Sequence, residues 1–122
     1  MATVNPTVDQ RVTEDPDIIS ISWTPLTTTN ADGAPCRFLQ HADRTVQVTG
    51  TFGAGGTLVW EGSNDGTNYA TLTDQSDNNL SFTSAKIEQI MQVPLNSRPR
   101  VTGGDGTTSL TVTVVMRRNT RR

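Results

Sequence analysis

The sequence predicts an all-β domain, a β-sandwich or jelly roll of seven to eight short antiparallel strands with an extended N-terminal arm. Three observations carry that prediction. Threonine occurs 21 times and glycine 10 times in 122 residues, the strong helix formers are sparse, and lysine appears once, at Lys86. β-branched residues and turn formers at this density favour strands over helices. Several segments alternate apolar and polar residues with period two, as a strand with one buried face does. Clusters of Gly, Asp and Asn separate these segments at a spacing of about ten residues, the pattern of a sandwich.

Residues 1–17, MATVNPTVDQRVTEDPD, hold Pro6, Pro16 and an acidic cluster, with apolar side chains beyond Met1 and Ala2 only at Val4, Val8 and Val12. They read as an extended arm with no core of its own. The four-residue spacing of the valines also fits a helical face, but Pro6 and the β-branched side chains favour the extended form. Residues 18–29 alternate, with Ile19, Ile21 and Trp23 on one face and Ser20, Ser22 and Thr24 on the other. Pro25 cannot donate to a ladder, so it marks an edge or the strand's end. Residues 27–35 form a loop with an Asp-Gly turn, and 36–39 a short apolar segment. Residues 44–52 return to period two, with Val46, Val48, Gly50 and Phe52 in phase.

The GAGG turn at 53–56 leads into the centre of the domain, residues 56–72, GTLVWEGSNDGTNYATL. This is a complete β-hairpin. Leu58, Trp60 and Gly62 share a face, and residues 63–68 are dense in types that accept positive φ or hydrogen-bond their own backbone. A polar loop at 74–79 precedes a short strand, Leu80-Ser81-Phe82. In residues 83–93, TSAKIEQIMQV, Ile87, Ile90 and Met91 fall at helical spacing behind Thr83 or Ser84 as cap. A turn of helix or bend at 84–88 followed by a strand at 89–93 is expected. A short strand at 98–102, the turn GGDG, and a last strand at 109–116 with Leu110, Val112, Val114 and Met116 on one face complete the sandwich at 18–116. The remainder, RRNTRR at 117–122, is a basic tail. The expected core is Ile19, Ile21, Trp23, Phe38, Val46, Val48, Phe52, Leu58, Trp60, Leu72, Phe82, Val101, Leu110, Val112 and Val114.

One domain fits the length. The net charge of −2 excludes the basic character that drives non-specific nucleic-acid binding, so no nucleic-acid partner is expected. Charge is unevenly placed: residues 1–61 carry seven acids against three arginines, net −4, and residues 62–122 seven bases against five acids, net +2. That asymmetry suits head-to-tail contact between copies or contact with another charged protein. A lone cysteine, Cys36, leaves the fold to its core or to oligomerisation. The start of the chain has no basic and apolar leader and no run reaches membrane-spanning length, which points to cytoplasmic synthesis and no membrane partner.

Little in the sequence suggests catalysis, and neither an enzyme nor a cofactor is expected. His41 is the only histidine. A Cys36–His41 thiolate pair is outweighed by packing or surface roles, the usual ones for a lone Cys and His in a strand-loop region. The loops GAGG and GGDG lack the Lys-Ser/Thr and helix of a phosphate-binding loop, and Asn64-Asp65-Gly66 and Gly104-Asp105-Gly106 lack the repeated acids of a calcium loop. No metal site is expected.

The segments TVQVTGTFGAGGTLVWEGSNDGTNYATLTD and RPRVTGGDGTTSLTVTVVMRR resemble the small β-sandwich structural proteins of tailed bacteriophages. There a V-x-V-x-G-T-F strand, a W/L-x-G-S-N-D-G-T hairpin and an R-P-x-V-T-G-G-D-G-T-x-S-L-T-V-T terminus recur, and the length suits capsid decoration, or cement, proteins. The resemblance covers residues 44–118. It implies a virion protein on the outer capsid surface, a dimer or trimer, that stabilises the shell by bridging major capsid protein subunits. The capsid-binding residues would then lie in the arm and tail: Val4, Val8, Arg11, Val12, Arg117, Arg118, Arg121 and Arg122. Two alternatives remain open, a carbohydrate-binding discoidin-like module aiding host attachment, and a tail or head–tail connector component.

Overall fold

The structure, a computed structural model, describes residues 3–9 and 17–118. Among them are nine strands and no helix: β1 (Thr7–Asp9), β2 (Ile18–Leu26), β3 (Asp43–Thr51), β4 (Thr57–Ser63), β5 (Ala70–Thr71), β6 (Ser81–Phe82), β7 (Lys86–Ile90), β8 (Asn96–Gly103) and β9 (Ser109–Arg117). They form two antiparallel sheets. One has the order β1-β2-β9-β3-β7. In the other, β4 is flanked by β8 on one side and by β5 and β6 in tandem on the other.

Register turns the alternation of the sequence into layers. Trp23 lies opposite Val112 and Val112 opposite Val48, Ile21–Val114–Val46 form the next row, and Ile19–Met116–Arg44 the next. Directly opposed residues point to the same face, so these rows line the inner face of the five-stranded sheet. Leu58 with Val101 and Phe82, and Trp60 with Pro99, line the facing surface of the smaller sheet. Trp23 and Trp60 meet edge-on across the core, with ring centroids 5.5 Å apart. Both are fully buried. The core also takes in Leu26, Cys36, Val59, Leu80, Ile90 and Met116, whereas Phe38 and Phe52 are partly buried at its margin.

Two expectations need correction. Residues 86–90 form strand β7, with no helical turn at 84–88. The free edge of β3 offers a ladder to any extended segment, and β7 takes it, with Val46 opposite Glu88. Period two then turns Ile90 inward and leaves Ile87 60% exposed, so the helical spacing of the apolar residues reflects no common face. Lys86 and Glu88, on the inward side, border a polar cavity of about 140 Å³ lined also by Asp74, Asn78, Asn79 and Ser81. Asp32-Gly33, expected as a turn, instead lies in β-bridges to Arg100 and Val4, whereas Pro25 stands one residue before the end of β2, as expected, where the register with β9 shifts between Trp23 and Leu26. The shift accommodates a residue that cannot donate to the ladder.

The hairpin turn is built as its composition predicts. The Asp65 carboxylate accepts from the amides of Thr67 and Asn68, both at 2.8 Å, and from Ser63 Oγ at 2.8 Å. Gly66 follows at φ 78°. Those bonds hold the Asp65 carboxyl far below the ordinary carboxylate range. The turn uses its acid for its own geometry. The second arm is shorter than the sequence suggests, with only Ala70–Thr71 in the ladder.

Candidate interaction surface

Of the eight residues expected to contact a capsid, Val4, Val8, Arg117 and Arg118 lie in the described structure; Arg11, Val12, Arg121 and Arg122 lie outside the described residues. Val4 forms a parallel bridge with Gly33: its N–H donates to the Asp32 carbonyl at 2.9 Å and its carbonyl accepts from Ala34 N–H at 2.8 Å. Its side chain packs against the core. Gly33 is required there, because a Cβ would lie 2.7 Å from the Pro99 ring and 2.8 Å from Trp23. Val8 sits in β1 opposite Ile21 and is 42% exposed. β1 is the outer strand of its sheet, so one of its edges faces away from β2.

Arg117 is the last residue of β9, opposite both Ile18 and Asp43, and it pairs with the Asp43 carboxylate. Arg118 Nη2 lies 2.9 Å from Asp17 Oδ1, and its amide donates to the Asp17 carbonyl at 2.8 Å. The chain leaves β1 at Asp9, re-enters at Asp17, and leaves β9 at Arg117. Register places all three points at one end of the five-stranded sheet. At that end the outer face has an open hollow of about 240 Å³ lined by Ile18, Asp43, Thr45, Val115 and Arg117. The rest of this face is set by the strand alternation. Ser20, Val115, Thr45 and Gln89 form one row, and Ser22, Thr113, Gln47 and Ile87 the next. No strand among the described residues covers it.

Beneath this end lies a buried cation. Arg44 is 1% exposed and has no carboxylate partner among the described residues. Its Nη2 donates to the Phe38 carbonyl at 2.7 Å and its Nε to the His41 carbonyl at 2.8 Å. Burial pulls its pKa down. The guanidinium closes the end of the core by gripping the 38–41 loop. Cys36, also buried, has its thiol pushed up to about 11, chiefly by desolvation, so it stays protonated and unreactive. Burial, then the nearby Arg118, lower the pKa of His41. Neither residue is set up as a nucleophile or its base.

The outer face of the smaller sheet carries a cluster that sequence reasoning did not assemble. Glu61, 3% exposed, accepts from Arg98 Nε at 2.8 Å, and Arg100 Nε lies 3.3 Å from the same oxygen in an ion pair. The Arg98 guanidinium stacks 3.9 Å from the centroid of the Tyr69 ring. In sequence Glu61 stands alone, and only the β4–β8 register, 37 residues apart at Glu61–Arg98, brings the three charges together. Trp23 and Trp60 lie in the core and Tyr69 lies against a guanidinium, so these aromatics do not form the exposed platform a sugar would need.

Comparison of the chain with protein-family models, with curated proteins and with solved structures finds no match.

Proposed function

We propose that this protein is a structural virion component that decorates the outer surface of a bacteriophage capsid and stabilises the shell by bridging major capsid protein subunits. The observation that carries the reading is the placement of the arm. β1 adds a short strand to the sandwich, no strand among the described residues pairs with its outer edge, and the chain leaves β1 at Asp9 and β9 at Arg117 from the same end of the same sheet. An open strand edge is a template for main-chain pairing with a neighbouring chain. Beside it lies the uncovered Ser/Thr/Gln face with exposed Val115 and Ile87, a surface that costs less to desolvate than one lined with charges. The resemblance of the 44–118 motifs to those of phage sandwich proteins supports the same reading.

Linkage supplies the mechanism. A protein that binds only the assembled shell stabilises it by its binding free energy, and many copies on a lattice multiply a modest contact. A homo-oligomer, dimer or trimer, would further raise the contact at a symmetry axis. The test compares capsids with and without the protein. Decorated particles should retain their genome to a higher temperature, and unchanged release temperatures would refute the reading. A variant lacking residues 1–9 should remain folded, because among the described residues it loses one edge strand, the Val4 bridge and the packing of Val4 at the margin of the core. It should bind capsids at least about tenfold more weakly, the effect of roughly 1.4 kcal/mol. Saturation at the parent's affinity would remove the arm from the contact.

A further inference from the structure

The geometry points to a second binding site, on the outer face of the smaller sheet, that takes an extended acidic protein segment with carboxylates at alternate positions. Three arginines on this face are anchored inward through Nε alone. Arg98 and Arg100 share Glu61, and Arg37 Nε donates to Asn96 Oδ1 at 2.7 Å. Among the described residues, no hydrogen bond is made by the η nitrogens of these three side chains. Arg98 is hydrogen-bonded to Glu61, whereas Arg100 Nε, buried and without a hydrogen bond, is held by the ion pair alone. The Glu61 side chain is 4% exposed, against 22% for Arg98 and 44% for Arg100, so a buried carboxylate orients two guanidinium groups whose outer ends reach solvent. Tyr69 fixes the plane of Arg98 from one side.

Charge and spacing select the ligand. Glu61 pairs with two of these arginines, and Asp32, whose backbone lies opposite Arg100 in an antiparallel β-bridge, brings a second acid to the same row, so three arginines and two acids leave one positive charge in excess. The nearby Asp65 is turned into its own loop. A single-charge excess beside two acids, on a chain of net charge −2, disfavours a nucleic-acid backbone and suits isolated carboxylates. Arg98 and Arg100 are two residues apart on one strand and so project from the same face about 7 Å apart. An extended peptide repeats its own side chains at that same interval. Each guanidinium retains a pair of donors for a carboxylate, the geometry in which arginine binds most strongly.

Fluorescence anisotropy of a labelled Glu-Thr-Glu-Thr-Glu peptide at low salt tests the site, with Lys-Thr-Lys-Thr-Lys as control. Saturable binding of the acidic peptide is expected, weakened about tenfold or more in Arg100→Gln, in line with the loss of one charge-assisted pair. Arg100→Gln leaves Arg98 on Glu61, and its melting curve checks that the sheet is intact. In the unaltered protein the Nε–H resonances of Arg98 and Arg100 should shift on titration, which provides a readout independent of any variant. Equal binding by Arg100→Gln, unmoved Nε–H resonances, or complete displacement of the peptide by an equal concentration of inorganic phosphate would each overturn the proposal. None of these results bears on capsid binding by the arm.

Discussion

Trp23 and Trp60 are a matched pair that isolates one hydrogen bond. Both are fully buried, and their rings touch. Replacing either with Phe removes the same atoms and leaves a void of the same size. They differ at the indole nitrogen. Trp23 Nε1–H donates to the Ala34 carbonyl at 3.0 Å, whereas the buried Trp60 Nε1–H has no acceptor among the described residues. A buried donor without a partner costs roughly 1–3 kcal/mol, and a void of a few tens of Å³ costs on the order of 1 kcal/mol. For Trp60→Phe the two effects oppose each other, and the variant should lie within about 1 kcal/mol of the parent. For Trp23→Phe they add, because the Ala34 carbonyl is orphaned as the void opens, and the loss should be about 2–3 kcal/mol.

Urea unfolding followed by far-ultraviolet circular dichroism measures both, without relying on the indole fluorescence that the substitutions remove. With a slope of roughly 1–3 kcal/mol/M for a domain of this size, the midpoints of the two variants should differ by about 1 M. Trp60→Phe should be the more stable of the two. If its midpoint falls at or below that of Trp23→Phe, the hydrogen-bond argument fails. Trp60→Ala, which empties the centre of the core, should lose about 3–5 kcal/mol.

Two further tests address the polar ties at the ends of the sandwich. Arg44→Met keeps most of the stem but leaves the His41 carbonyl unpaired and the Phe38 carbonyl with the His41 amide alone, while relieving the burial of an uncompensated charge; a net loss of about 1–2 kcal/mol is expected. Amide hydrogen exchange should accelerate at Leu39 and His41 more than in β9, and a uniform acceleration would show that Arg44 does not act through this loop. Asp105 ties the 53–56 turn to the 103–108 turn, accepting from Thr107 N at 2.9 Å, Thr107 Oγ1 at 2.6 Å and Ala54 N at 3.0 Å. These bonds hold its carboxyl at about 2 against an ordinary 3.8. A depressed native pKa gives stability that is present above 3.8 and is lost as pH falls towards about 2. Asp105→Asn should therefore melt below the parent at neutral pH, with the gap narrowing across that window. A gap constant from pH 6 to pH 2 would refute it.

Strands buried on one face were legible because their pattern records burial directly. β2, β3 and β9 each read inward at every second residue, and the observed rows are those residues. The Asp65-Gly66 and Asp105-Gly106 turns were legible for a different reason, since their chemistry is local: each aspartate bonds amides two or three residues away, whereas the same dipeptide at Asp32-Gly33 is drawn into β-bridges by distant partners. β7 was not legible. Its inward residues are Lys86, Glu88 and Ile90, two of them facing a polar cavity, so the apolar signal came from the wrong side. Arg44 was partly legible, because it stands in phase with Val46 and Val48 and its parity alone places it inward. What hid it was its charge, which is offset by backbone carbonyls from a loop that no local pattern identifies. The Glu61 cluster required the register of two strands far apart in sequence, and β4 reads as one-sided only until Arg98 covers its outer face.

The same residues explain how a small sandwich without a disulfide keeps its loops in place. The core is one contiguous apolar cluster, and a single core in a domain of this size is expected to unfold cooperatively. The loops at its ends are attached by single polar side chains: Arg44 holds 38–41, Asp105 joins two turns, Asn64 Oδ1 accepts from Leu95 N at 2.9 Å, and the Gln92 amide bonds Thr73 at both its nitrogen and its oxygen. Each tie contributes about 1 kcal/mol or a little more, well below the cost of opening the core. The ends must therefore open locally before the domain unfolds. The segments after Asp9 and after Arg117 leave from one of these ends, beside Asp17–Arg118 and Asp43–Arg117, exposed ion pairs worth at most about 1 kcal/mol each. A partner that drew those residues onto its own surface would break these exposed ion pairs, and the tryptophan core would be left intact.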